Sequence, residues 1–349
     1  MSTTFYDVLT KHSAIYPKMQ PQDYLKLAYQ SEFGCAHLLN DKEQTLSCLS
    51  QELDSVVYDS FMPIYTDIGG GFSRLNLSAV KGLLSSETIF RMIEKSCFKT
   101  GTFESFQKKL SLIVKSARIG VINTDYQALD LYFSQYDTKT IPSHSEIFKK
   151  EYGASYRVIK TEYAVLVPIL IQIEKLLNES NRVNVAIDGC AAAGKSTIAS
   201  HLSEILNADI IHTDDFFLPA SKKTFERLKQ PGGNIDYERF NIEVYEHLND
   251  EVIVYNKFDC FKQKLSDERV IKRGKLLVVE GVYTLLPQFR DKYQLKIFVK
   301  TDSYTQRERI VLRGGTELYD RYASEWLHLE EIYFKALNPI NCCDFKIVT

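Results

Sequence analysis

The chain has 349 residues, enough for two domains of ordinary size. Its 44% hydrophobic and 25% charged residues are the balance of a soluble globular protein. The net charge is −2, with Lys and Arg dispersed along the chain. No basic block points to nucleic acid and no acidic tail to a solvating arm. The longest near-apolar run, Tyr163–Ile173, contains Pro168 and Gln172 and falls short of the roughly 20 residues that cross a bilayer. Neither nucleic acid nor a membrane is therefore expected as a partner.

Met1–Phe5 has neither the basic nor the apolar region of a signal peptide. Seven cysteines, at 35, 48, 97, 190, 260, 342 and 343, show no C-x-x-C pair and no zinc spacing. The expectation is free thiols in a reducing cytoplasm.

Residues 1–178 read as a mainly helical domain. A helix is expected from about Pro21, carrying Tyr24, Leu25, Leu27 and Ala28. Others carry Ile89, Met92, Ile93 and Cys97, and Phe103, Phe106, Leu110 and Ile113. Between them, the three glycines of Asp67–Leu77 require unusual backbone angles or the close approach of another group. The alternating residues that follow suggest a small strand. His37 and Glu32 are candidates for flanking a pocket, and Arg74 and Asn76 for meeting an anion, although plain structural roles serve all four. Tyr152, Tyr156 and Arg157 precede a joining helix, Tyr163–Leu177.

From residue 179 to 349 strands alternate with helices. Candidate strands are Val183–Ile187, Ile210–His212, Val252–Tyr255, Leu276–Val279, Leu295–Val299 and Phe345–Val348. Ile198, Leu202, Ile205 and Leu206 form an apolar helix stripe. Such alternation predicts an α/β fold, a parallel sheet with helices on both faces.

Gly189-Cys190-Ala191-Ala192-Ala193-Gly194-Lys195-Ser196 fits G-x-x-x-x-G-K-[ST] between a strand and a helix. Backbone N–H groups of such a loop cradle phosphates, which only glycine allows to approach closely. The helix that follows, from Lys195 through Thr197, adds its positive end. Lys195 is expected on the β- and γ-phosphates of ATP and the Ser196 hydroxyl on Mg²⁺. The domain is therefore expected to be of P-loop NTPase type.

Downstream, four stretches resemble the uridine kinase and phosphoribulokinase family. His212-Thr-Asp214-Asp215-Phe216-Phe217 matches the family's Asp-x-Phe, which implies that Asp214 is the base for a substrate hydroxyl. Asp215 is the alternative, and two aspartates at a strand end also serve to cap a helix. Val278–Tyr283 resembles the second acidic motif, with Glu280 implied as a metal ligand beside Ser196 and Asp214. Gly233–Phe240 and Val254–Asp259 resemble acceptor-binding segments. There Asp236 is implied to bind hydroxyls and Tyr255 to stack on a flat ring. Thr301–Arg321 resembles a lid, with Arg313 and Arg307 the foremost candidates to neutralise phosphate charge and Gly314-Gly315 as its hinge.

Two departures limit what the resemblance implies. No histidine follows Tyr255 in the stretch to Lys262, so base recognition does not carry over. Residues 1–178 have no counterpart in a minimal uridine kinase. The expected function is ATP-dependent phosphoryl transfer to a hydroxyl of a small molecule, nucleoside-like or not (a sugar, sugar phosphate or pantothenate-like acid). An ATP-driven switch and a nucleic-acid ATPase remain as rivals. A homo-oligomer stays open, and the N-terminal half is expected to shape the acceptor site or mediate assembly.

Overall fold

The computed structural model describes residues 4–35, 42–98, 100–137, 140–260 and 262–349. The chain divides into two compact units, Met1–Ile171 and Gln172–Thr349. No helix among the described residues is long and apolar enough to cross a membrane.

The first unit runs α1 (Phe5–Ile15), α2 (Pro21–Phe33), α3 (Lys42–Ser55), β1 (Tyr65–Gly69), β2 (Phe72–Asn76), α4 (Leu77–Val80), α5 (Ser86–Ser96), α6 (Phe103–Arg118), α7 (Tyr126–Ser134), α8 (Glu146–Tyr152), β3 (Tyr156–Lys160) and α9 (Thr161–Ala164). Several helices begin where a side-chain oxygen satisfies an early N–H: Thr4 for α1, Ser85 for α5, Thr102 for α6 and Ser145 for α8. Pro21 opens α2, a position where its missing N–H costs nothing. Leu9, Leu25, Leu27, Phe72, Ile89 and Phe106 are buried in the core.

The triple glycine makes the β1–β2 turn. Gly69, Gly70 and Gly71 all have positive φ, and a Cβ on Gly70 would lie 1.8 Å from the Ser31 carbonyl oxygen of α2. Both requirements read from the sequence therefore apply. β2 pairs antiparallel with β1 and with β3, so the expected single strand is the centre of a three-stranded sheet. Tyr156 and Arg157 belong to β3.

The joining segment breaks into α9 and α10 (Val167–Glu179), with Pro168 in the first turn of the second helix, where it is tolerated. The second unit continues β4 (Val183–Gly189), α11 (Lys195–Leu206), β5 (Asp209–His212), α12 (Phe225–Leu228), α13 (Tyr237–Phe240), β6 (Val252–Asp259), β7 (Lys264–Lys272), β8 (Leu276–Glu280), β9 (Leu295–Lys300), α14 (Ser303–Arg321), α15 (Leu327–Leu337) and β10 (Phe345–Val348). The sheet order is β10-β9-β4-β8-β5, parallel throughout. β4, β8 and β9 are almost wholly buried, as expected of parallel strands covered on both faces. α11 packs across β4, β8 and β5. Ala186 and Val279 join a cluster with Phe216, Phe240, Phe289 and Tyr333.

Val252–Tyr255 is a strand, but not of this sheet. β6 pairs antiparallel with β7 in a separate two-stranded ribbon. β7 is mostly polar and exposed, so it carries no burial pattern that marks it in the sequence.

The sheet order places β4 between β8 and β9, although β5 follows β4 in the chain. Ile187 pairs with Glu280, which in turn pairs with His212. The ends of β4, β8 and β5 thus lie side by side at the carboxyl edge of the sheet. This is where open α/β sheets carry their sites.

Candidate active site

The loop leaving β4 is shaped by two glycines with different tasks. Gly189 has φ +144°, and a Cβ there would lie 1.8 Å from the Val299 carbonyl oxygen on β9. Gly194 caps α11 in the left-handed region, at φ +97°, and a Cβ there would meet nothing within 4 Å. The first glycine thus lets strands approach, and the second turns the chain beside open space. Ala192 also takes positive φ, at 56°. The Cys190 N–H donates to the Val299 carbonyl at 3.1 Å.

Buried Asp188 anchors the loop from below. Its carboxylate accepts from the Gly189 N–H (2.6 Å), the Leu285 N–H (2.9 Å) and the Tyr333 hydroxyl (2.6 Å). Burial raises its pKa, although these donors oppose the shift. Lys195 is itself buried and donates to the carbonyls of Gly189 and Cys190, both at 2.9 Å. The Ala191 N–H donates to the Glu330 carboxylate of α15 at 3.0 Å. A loop amide is thereby already engaged by a carboxyl oxygen from another helix. Loop and helix terminus accordingly fit a polyphosphate.

A cavity of about 130 Å³ opens above the loop, lined by Lys195, Ser196, Thr197, Asp214, Glu280 and Arg313 among others. Glu280, at the buried end of β8, accepts from the Ser196 hydroxyl at 3.0 Å and from His212 Nδ1 at 2.5 Å. That contact raises the pKa of His212. Asp214 and Asp215 follow β5 in one tight turn but differ sharply. Asp215 is fixed: its carboxylate pairs with Lys257 at 3.0 Å and accepts from the Tyr255 hydroxyl at 3.1 Å. Asp214 makes no hydrogen bond or ion pair to the described residues and faces the cavity. Its surface is accessible, yet the cleft walls desolvate it and raise its carboxyl, with Lys195 opposing the shift.

Of the two favoured arginines, Arg313 lines the cavity. It immediately precedes Gly314 and Gly315, whose backbone breaks the helical path of α14. Arg307 does not line it; it stands near Glu308 and over the Tyr319 ring. Instead Arg309 and Gln306 reach the loop, donating to the carbonyls of Ala192 (3.2 Å) and Ala191 (2.9 Å). Arg307 and Arg309 sit in one arginine-rich run, and residue type alone does not separate them.

Asp236 and Tyr255 are also outside the cavity lining. Asp236 is buried, caps α13 at the Arg239 N–H and pairs with Lys222 at 3.2 Å. Tyr255 is buried against Phe216 and tied to Asp215. The lining has instead Phe217, Asn234, Tyr322, Trp326 and Glu330. A π-helical turn over Tyr322–Trp326 brings two of these rings there. Asn234 is buried, with its Oδ1 unpartnered among the described residues. In the sequence, Asn234 sits two residues before Asp236 in the Gly233–Phe240 segment. Glu330 carried no signal, being one of two adjacent glutamates on an ordinary amphipathic helix. His37 lies outside the described residues. Glu32 holds α6, accepting from the Thr102 N–H and the Ser105 hydroxyl and pairing with Lys109 at 2.9 Å.

No family model matches the chain. A 144-residue stretch, 38% of the chain, is 29% identical to uridine-cytidine kinase B of Dictyostelium discoideum. Over that stretch the chain is similar to a uridine-cytidine kinase. The matched stretch spans 58% of the length of that curated relative. Among solved structures, a possible uridine kinase from Bacillus stearothermophilus aligns over 52% of this chain and 99% of its own, at 17% identity and TM-score 0.39. An uncharacterised protein from Eubacterium ventriosum aligns over 48% and 88%, at 11% identity and TM-score 0.28.

Among the described residues no three His, Cys, Asp or Glu side chains form a metal cage. Magnesium does not need one, because it is commonly held by one or two carboxylates together with substrate phosphates and water. Ser196 and Glu280, already in contact, suit that role, with Asp214 facing the same cavity.

Proposed function

We propose that the C-terminal unit transfers the γ-phosphoryl group of ATP to a hydroxyl of a small molecule, with Mg²⁺ required. The observation that carries this reading is the contrast between the paired aspartates. One is locked in the framework, and the other has no partner among the described residues and faces the cavity above the phosphate-binding loop. A free carboxylate there can take the proton of an acceptor hydroxyl or orient an attacking water, so dependence of turnover on an acceptor separates the kinase from a hydrolytic switch.

In this reading the loop amides from Ala191 to Ser196 receive the phosphate oxygens. Lys195 leaves its two carbonyl partners to neutralise the β- and γ-phosphates, and Arg313 adds charge from the lid side. Mg²⁺, when bound, would supply neutralisation of phosphate charge. Ser196 and Glu280 are its holders. Asp214 accepts the proton of the acceptor hydroxyl as that oxygen attacks phosphorus, and its raised pKa brings it nearer the range of an effective base. Asn234 offers its unpartnered amide oxygen to a donor of the acceptor, and Phe217 and Trp326 supply flat apolar walls.

A non-nucleoside acceptor is favoured by Tyr255. Its ring is buried and its hydroxyl engaged with Asp215, so it is not offered for stacking on a base. The test is phosphate transfer from radiolabelled ATP across nucleosides, sugars, sugar phosphates and pantothenate-like acids. Label on one hydroxyl compound, lost in Asp214→Asn, supports the reading. ATP hydrolysis unaffected by every compound would replace it with the switch.

A further inference from the structure

The first unit holds a cavity of its own, of about 480 Å³, which the phosphoryl-transfer reading does not use. Its size suits a small organic ligand. Its wall includes Lys26, Tyr29, Gln30, Ile93, Tyr156 and Arg157.

The charges around this wall do not balance. Arg74, on β2, is 3% exposed. Its guanidinium meets no carboxylate among the described residues. Nε and Nη2 both donate to the neutral Gln30 Oε1, at 3.0 and 2.8 Å, and the group lies 4.6 Å from the Tyr156 ring centroid. Lys26, on α2, makes no hydrogen bond or ion pair to the described residues, and its ammonium stands 5.9 Å from the same ring. Arg157 is matched by Glu52.

Asp23 is the carboxylate that Lys26 feels, and its oxygens are already occupied. They accept from His144 Nδ1 (2.8 Å), the Ser145 N–H (3.0 Å), the Ser145 hydroxyl (2.7 Å) and the Gln20 N–H (2.9 Å). His144, held neutral by burial with its pKa pulled down to about 4, accepts the Tyr156 hydroxyl proton at 2.7 Å. Among the described residues, setting Asp23 against Arg74 and Lys26 leaves one positive charge without a partner. Desolvation, with Arg74 next and Lys149 adding a little, pulls Lys26 down to about 8, while Asp23 opposes.

A cation drawn partly out of water without a counter-charge is costly, and proteins normally pair it. We propose that the counter-charge comes from a ligand. The cavity binds a small organic anion whose phosphate or carboxylate group pairs with Lys26, and whose apolar part lies along Tyr29, Ile93 and Ile141.

The test is calorimetry on the full-length chain with phenyl phosphate, benzoate and, as the neutral control, benzyl alcohol. Titrations are repeated in Lys195→Ala, because the phosphate loop of the other unit also attracts anions. The expectation is that at least one anionic probe binds in both backgrounds. Lys26→Met should weaken it by about tenfold or more, the scale of one charge-assisted contact, and the alcohol should not bind. Hydrogen exchange on the unsubstituted protein with the same probe should show protection at residues 26–35 and 156–158, whatever the folding of the variant. The proposal is overturned by no anion binding in Lys195→Ala, by undiminished binding in a folded Lys26→Met, by equal binding of the alcohol, or by protection confined to residues 189–196.

Discussion

The Glu330 carboxylate accepts the Ala191 N–H at 3.0 Å, so an acid from α15 occupies an amide of the phosphate-binding loop. Burial raises this carboxyl to about 7, with Lys195 opposing and Asp188 and Asp214 adding a little. A nucleotide must contend with this charge. Glu330→Gln keeps an acceptor for Ala191 and removes the charge, and MgATP should then bind about tenfold more tightly at pH 8. The unsubstituted protein should gain affinity as pH falls through 7, and the variant should not. Stability follows the same sign. A folded pKa above the unfolded value of 4.5 means that the group's contribution is fully present below pH 4.5 and lost as pH rises through 7. Glu330→Gln should flatten that decline in denaturant titrations at pH 5 and 8.

Asp214 and Asp215 should separate cleanly on substitution. Asp214→Asn removes the free carboxylate and disturbs no described hydrogen bond. ATP binding should stay within about twofold while turnover falls by about 10²–10⁴, the span of general-base contributions. Asp215→Asn loses the Lys257 ion pair and changes the partner of Tyr255. Its main effect should be a lower thermal midpoint. Calorimetry, kinetics and melting of the two variants check this, and reversed phenotypes would reverse the assignment.

Glu280 holds Ser196 and His212 together. Because this acid raises His212, Glu280→Gln should lower the His212 pKa, readable by NMR titration of its ring proton. The Mg²⁺ concentration needed for half-maximal ATP binding should rise in Glu280→Gln and in Ser196→Ala. An unchanged requirement in both would remove them from the metal site.

The two loop glycines should fail differently. Gly189→Ala drives a methyl against the Val299 carbonyl and should destabilise the second unit by several kcal/mol, given overpacking plus φ strain. Gly194→Ala meets no neighbour and should cost only about 1–2 kcal/mol, from its left-handed backbone. Chemical denaturation of each variant distinguishes them.

Much of this site was legible because its chemistry is local. Gly189 to Ser196 is continuous in sequence, and the apolar runs ending at Glu280 and before Asp214 mark strand ends. What escaped depends on approach from afar. Glu330 meets Ala191 across 139 residues with no motif to announce it. Arg309 rather than Arg307 reaches the loop because of where one helix face points. Tyr255 reads as a stacking residue until Asp215 is seen to claim its hydroxyl. β7 escaped because the ribbon buries β6 side chains such as Ile253 and Tyr255 and leaves β7 mostly exposed. In the first unit, Arg74 and Asp23 were legible only as single polar residues, and the relay through His144 and Tyr156 joins α2, β2 and β3 with the loop before α8.

The most direct measurement is isothermal titration of the full-length protein with ATP in excess Mg²⁺, alongside Lys195→Ala. The account predicts saturable one-site uptake in the unsubstituted protein and affinity at least about tenfold weaker in the variant, the scale of a lost charged contact. Absence of any binding by the folded protein, or identical affinity in Lys195→Ala, would contradict it.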